Sequence, residues 1–135
     1  MKYTVVAVGR MRDPFADDMA HYMKMLGGHA KVDVVEVKDA DQVARRIPER
    51  AYRVQLDSRG RAYDSEAFAR WLEARRQAGR DVCFVIGGAE GIELEPVDER
   101  LSFGPMTFPH QLARVMLVEQ LFRAHKILAG EPYHH

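Results

Sequence analysis

Apolar positions along this chain fall into short unbroken runs and longer stretches with helical spacing, and the two kinds alternate. Tyr3 to Val8 is a β-branched run closed by Gly9, the pattern of a buried strand covered on both faces. A loop follows over Gly9 to Pro14. Beyond it Met19, Tyr22, Met23 and Leu26 recur at helical spacing, with Pro14 suited to the first turn and Gly27-Gly28 ending the helix. Val32 to Val37 alternates only in part, which predicts a strand nearer a sheet edge. Asp41 to Ile47 predicts a short helix stopped before Pro48. Arg53 to Leu56 reads as a short strand, and Asp57-Ser58-Arg59-Gly60-Arg61 as a polar loop. Asp64 or Ser65 caps the next helix. Phe68, Trp71 and Leu72 form its buried stripe, Arg70, Glu73, Arg75 and Arg76 its wet face, and Gly79 its end.

The last third carries the densest pattern. Val82 to Ile86 is another buried strand, and it breaks into the glycine-rich turn GGAEG. The acidic stretch Ile92 to Glu99 reads as one helical turn, and Leu101 to Phe103 as a last short strand. From His110 to Ala129 runs the longest helix, closed by Gly130 and Pro132. Its residues Leu112, Val115, Met116, Leu117, Val118, Leu121, Phe122, Ile127 and Leu128 leave few positions for water. A helix apolar nearly all round is buried on more than one side, so we expect a two-fold homodimer with this helix at the interface. Strands and helices alternate throughout, which predicts an α/β fold in one domain over 1–135. The sheet should be mainly parallel, with helices on both faces.

Composition narrows the function classes. The 135 residues are 47% hydrophobic and 30% charged, ordinary for a globular domain. Twenty basic side chains balance twenty acidic ones, which argues against a generic electrostatic nucleic-acid binder but not against docking on one structured RNA. The single cysteine, Cys83, lies in an apolar run and reads as a small buried hydrophobe in a reducing compartment. No apolar run approaches the ~20 residues of a membrane span, and the opening lacks a cleavage pattern. A cytoplasmic protein without membrane association is the expectation.

Elimination removes several chemistries. GGAEG has neither the spacing of a P-loop nor that of a dinucleotide fingerprint. No histidine pair stands at helical zinc spacing, so no metal is expected. Ser58, Ser65 and Ser102 lack a nucleophile-elbow context. What remains is three turns, after Leu56, Ile86 and Phe103, which a parallel sheet places on one side. Backbone groups there can hold a flat, polar, adenosine-like ligand, and Gly87, Gly88, Gly91 and Gly104 permit its close approach.

The runs VCFVIGGAEG, LSFGPMTFPHQLARVMLVEQLFRAHKIL and EPYHH together resemble the RlmH family of SPOUT-class methyltransferases. KYTVVAVGRMRDP and RVQLDSRG extend the likeness over nearly the whole chain. The resemblance implies a C-terminal trefoil knot, S-adenosylmethionine as cofactor, a homodimer, and methylation of N3 of a pseudouridine in bacterial large-subunit ribosomal RNA. It also departs in two places. The segment between Val37 and Arg53 is shorter than the family's, and His135 stands where the family carries an arginine after the Tyr-His pair.

Carried over by position, the family's cofactor contacts fall on Leu56, Gly87 and the run Phe103, Gly104, Pro105, Met106, Thr107 and Phe108. These are the same three turns. Proton transfer from the pseudouridine N3 needs an acceptor, and the candidates are His110, His134 and Tyr133. His110 opens the last helix, whose N-terminus disfavours imidazolium and keeps the ring neutral. Arg114 and Arg123 lie nine residues apart, near opposite sides of that helix, and are the candidates for orienting RNA phosphate. A non-catalytic module that binds the ribosome during assembly is the alternative on the same scaffold.

Overall fold

Short β-branched runs pair here as a parallel sheet, and the segments between them supply its cover. The computed structural model describes residues 1–89 and 91–133. In chain order the elements are β1 (Lys2–Val8), α1 (Ala16–Gly27), β2 (Lys31–Val37), a 3-10 turn (Ala40–Gln42) running into α2 (Val43–Arg46), β3 (Tyr52–Ala62), α3 (Ser65–Gln77), β4 (Val82–Ile86), β5 (Glu99–Ser102) and α4 (His110–Leu128). The five strands lie in the order β2-β1-β4-β3-β5, every pair parallel. The fold is therefore α/β with a parallel sheet, as the alternation of elements predicts, and β2 is an edge strand.

Alternation along the strands divides the core. Tyr3, Val5, Phe84 and Ile86 point to one face and pack with Leu26, Leu72, Leu117 and Leu121 of α1, α3 and α4. Val6, Cys83 and Val85 point to the other, where Val43 and Ile47 near α2 and Leu94 cover them. Cover is thus three helices on one face and one short helix with an irregular segment on the other. Cys83 is fully buried, and burial pushes its thiol pKa up to about 12.

The structure corrects several boundaries. Helix α1 starts at Ala16, after Pro14 has turned the chain. Asp64, and not Ser65, caps α3, accepting a hydrogen bond from the Ala67 N–H at 2.7 Å. Residues 92–98 form no helical turn. Asp98 is drawn into the sheet margin instead: its N–H donates to Arg53 O and its carboxylate accepts from the Arg53 N–H at 2.7 Å. That contact starts β5 at Glu99, earlier than Leu101.

The expected polar loop at Asp57–Arg61 lies inside β3. Both Leu56 and Arg61 pair with Leu101, so the residues between them bulge out of the β3–β5 ladder. Gly60 makes this possible, because a Cβ there would stand 2.6 Å from the carbonyl carbon and oxygen of Arg100.

Candidate functional site

The bulge of β3 and the C-terminal ends of β4 and β5 converge on one cleft. Its volume is about 720 Å3, within the ~300–1,000 Å3 usual for small-molecule sites. Leu56 lines it from β3, Gly87 from the turn after β4, and Phe103, Gly104, Met106, Thr107 and Phe108 from the segment after β5. Seven of the eight positions expected to hold the cofactor are therefore brought together. Pro105 is not among the lining residues.

Local bonding shapes each lip. Gly91 N–H donates to Gly88 O at 2.9 Å and closes the turn after β4. A Cβ on Gly87 would meet the Gly91 carbonyl carbon at 2.9 Å, so only glycine keeps that turn against the cleft wall. The Ser102 hydroxyl accepts from the Gly104 N–H and lies within donating distance of Ser58 O and Gly104 O, tying the β3 bulge to the segment after β5. Met106 stands at the mouth, 73% exposed.

From the end of β5 the chain must return across the sheet to begin α4 near the end of β1. Side chains of the first turns of α4 fix that return. Gln111 donates to Arg10 O at 2.8 Å and accepts from the Arg12 N–H at 2.9 Å. Arg114 is fully buried, paired with Glu36 at 2.6 Å and donating to Gly9 O at 3.2 Å. This crossing is the one on which the expected C-terminal knot depends.

His110 stands at the start of α4, on the cleft wall. Its Nδ1 is buried and has no hydrogen-bond partner among the described residues. Burial first, then the positive charges of Arg114 and Arg12, hold its pKa below the usual histidine range. The ring is neutral at neutral pH and has a nitrogen to spare.

The other expected residues lie elsewhere. Arg114 presents no guanidinium to a surface; it is a structural clamp, which corrects the expectation that it meets RNA. Arg123 pairs with Glu119 at 2.8 Å and lies over the Tyr133 ring, 5.0 Å from its centroid. Tyr133 packs on Phe122 and donates to Glu119 at 3.2 Å. Neither Arg123 nor Tyr133 lines the cleft. His134 and His135 lie outside the described residues.

Residues that sequence reasoning missed also line the cleft, among them Gln55, Asp57, Arg59 and Glu93. Gln55 is 4% exposed on a central strand. A glutamine set between Val54 and Leu56 was the signal available. Asp57 is pulled below the usual carboxylate range, chiefly by its hydrogen bonds from Arg59. Among the described residues no group of side chains could hold a metal ion, and no helix is long and apolar enough to cross a membrane.

Comparison with known proteins gives this geometry a context. A family model described as a predicted SPOUT methyltransferase matches residues 1–134. A protein of Gluconacetobacter diazotrophicus named Ribosomal RNA large subunit methyltransferase H is 44% identical, across 96% of this chain and 95% of that protein. A protein of the same name from Rubrobacter xylanophilus is 45% identical, across 97% and 96%. A third, from Carboxydothermus hydrogenoformans, is 37% identical across 99% of both.

Proposed function

The chain belongs to the SPOUT methyltransferase family, and from that premise we propose that it methylates N3 of a pseudouridine in large-subunit ribosomal RNA, with S-adenosylmethionine as donor. The observation that carries this reading is the cleft itself. Two strand ends and the β3 bulge meet there, one lip is a glycine turn with no room for a Cβ at Gly87, and a neutral histidine whose Nδ1 has no partner among the described residues stands on the wall.

The residues present fit such a donor. Leu56, Ile86, Phe103 and Ala113 supply apolar walls for an adenine ring, and the Gly87 turn brings backbone polar groups close to it. When bound, S-adenosylmethionine supplies an activated methyl on its sulfonium, so neither a metal nor a covalent enzyme intermediate is needed. The protein then has two tasks. It holds the target nitrogen in line with the methyl, which alone is worth several kcal/mol. It also removes the N3 proton, and His110, on the cleft wall with its neutral form favoured, is the acceptor we assign to that role. Phe103, Phe108 and Met106 give the target base apolar surface beside it.

The working unit we propose is a cytoplasmic homodimer. On α4, Leu112, Met116, Glu119 and Arg123 are only half-buried and recur at i, i+4, i+7 and i+11, one stripe along the helix. A groove of about 520 Å3 beside it is lined by Tyr22, Phe68, Val115 and Met116. A second copy covering this stripe leaves Arg123 and Tyr133 at the rim, where they can meet RNA.

Mass spectrometry of ribosomal RNA from cells lacking the gene tests the reaction. One pseudouridine should lose its N3 methyl, and purified protein with S-adenosylmethionine should restore it on isolated ribosomes. Unchanged RNA overturns the reading. Unchanged RNA with ribosome binding intact would instead identify a non-catalytic assembly module.

A further inference from the structure

The cleft offers RNA no free phosphate clamp. Among its described lining residues the one arginine is Arg59, which is paired with Asp57 at 3.0 Å. Arg123, on the stripe along α4, is paired with Glu119. A protein that acts on ribosomal RNA draws much of its affinity from phosphate contacts, yet this chain has a formal net charge of zero. Its unpaired positive charge is gathered elsewhere, at the opposite end of the sheet.

Arg45, Arg46, Arg50 and Arg53 lie around the entry to β3, and Arg75 and Arg80 lie ahead of β4. None of the six makes an ion pair among the described residues. Parallel pairing sets Tyr52 beside Val82, so both segments reach the same edge of the sheet. That edge is about 16 Å along β4 from the Gly87 turn. Tyr52 joins the two segments. Its N–H donates to Asp81 O at 2.8 Å, and Arg80 donates to Arg50 O at 3.3 Å. Arg75 and Arg80 both lie over the Tyr52 ring, 4.7 and 5.3 Å from its centroid, and Arg75 also lies over Trp71 at 5.4 Å.

Stacking on a ring face holds a planar guanidinium in one orientation and leaves its edge N–H groups to donate. Arg75 Nε is buried with no partner among the described residues, a donor the fold itself does not use. Helix ends explain part of the cluster, since Arg45, Arg46 and Arg75 fall in the last turns of α2 and α3, where positive charge offsets the dipole. They do not explain Arg50, Arg53 and Arg80, which lie beyond those turns. Neighbouring carboxylates are turned to other partners. Glu73 pairs with Arg76, Asp98 accepts from the Arg53 N–H, and Glu99 accepts from Tyr52, Tyr63 and Trp71. Only Glu49 stands between Arg45 and Arg53 in the chain. We propose that this arginine edge grips the phosphate backbone of ribosomal RNA as a second contact, remote from the base that enters the cleft. Oriented guanidinium forks suit phosphate oxygens, and such contacts fix register without reading sequence. The proposal rests on the ribosomal RNA reading above and adds an anchor to it.

Binding of the full chain to isolated ribosomes, measured against salt concentration, tests the anchor. Arg50 and Arg80 are both exposed, so Arg50→Gln/Arg80→Gln is chosen to leave the core untouched. Its affinity for ribosomes should fall about tenfold near physiological salt, and the slope of log affinity against log salt should shrink by about one to two. Affinity for S-adenosylhomocysteine, read by calorimetry, should not change, which also shows that the variant is folded. Arg50→Lys/Arg80→Lys keeps the charge and should recover most of the slope. Unchanged ribosome affinity and slope overturn the anchor. So does a parallel loss of S-adenosylhomocysteine affinity, which would make the cluster a support of the fold, or a lysine variant as weak as the glutamine one. A wild-type chain that binds ribosomes with the expected slope but transfers no methyl overturns the reaction and leaves the anchor in place. A wild-type chain that does not bind ribosomes overturns both.

Discussion

The two ends of the β3–β5 pair use their polar groups in opposite ways. At the start of β5 the Glu99 carboxylate accepts from Tyr63 at 2.5 Å, Trp71 at 3.1 Å and Tyr52 at 3.3 Å. Arg75 lies over the Tyr52 and Trp71 rings, and Trp71 stacks on Phe68. That end is closed, its hydrogen bonds turned inward. Around the cleft, where the β3 bulge opens, Gln55 Oε1 and His110 Nδ1 are buried without partners among the described residues, and Met106 is exposed. The cost of leaving polar atoms unpaired falls where a ligand can repay it. The closed end should govern stability and the open end binding, and substitutions can separate the two.

The largest effect should come from the open end. Gly87→Ala places a Cβ against the Gly91 backbone and forces the turn into the cleft. Affinity for S-adenosylmethionine should drop about a hundredfold, equivalent to about 2.7 kcal/mol. Because the change lies in a loop, the melting temperature should move little. Calorimetry and thermal melts on one sample check both halves.

At the closed end, Glu99→Ala strands three donors that are only part-buried, so the expected cost is about 2 kcal/mol of stability. Urea unfolding reads this, and ligand affinity should be unchanged. A large loss of affinity would break the division between the ends.

A smaller effect follows from pH. His110 has its pKa lowered by burial first, so the unfolded chain binds that proton more readily than the folded one. Stability therefore rises with pH between the folded value and the ordinary 6.5, and acidification through that window weakens the fold. Methyl transfer should stay flat through 6.5 and fall only below the lowered folded value, losing about tenfold per unit once the ring is protonated. In His110→Asn the acid limb should disappear along with most of the rate.

Cys83 marks the lower limit. It sits in the core beneath neither end, with its thiol pushed up to about 12. Thiol reagents should leave the native protein unmodified with no effect on activity, and should react fully in denaturant.

Local chemistry was legible in the sequence, and long-range pairing was not. Tyr3–Val8 and Val82–Ile86 announce buried strands because nearly every residue is apolar, and glycines mark where they stop. The cleft follows, since parallel strands end on one side. The β3 bulge is hidden, because Asp57-Ser58-Arg59-Gly60 has the composition of a turn and only the edge partner Leu101 holds it to the sheet. Arg114 looks like a surface residue on a helix. Its partner Glu36 is 78 positions away, and no spacing rule links them. The 92–98 segment is acidic enough to suggest a helix start, yet Arg53 draws Asp98 into the sheet margin. Gln55 was visible as a polar interruption of a buried strand, but its unpaired oxygen depends on Ile92, which only the fold brings near.

A crystal structure of the protein with S-adenosylmethionine tests the central claim most directly. The account predicts an adenosyl group between Leu56, Gly87 and the Phe103–Phe108 segment, with the sulfonium methyl facing His110. Donor density anywhere else on the surface, or none at saturating concentration, would contradict it.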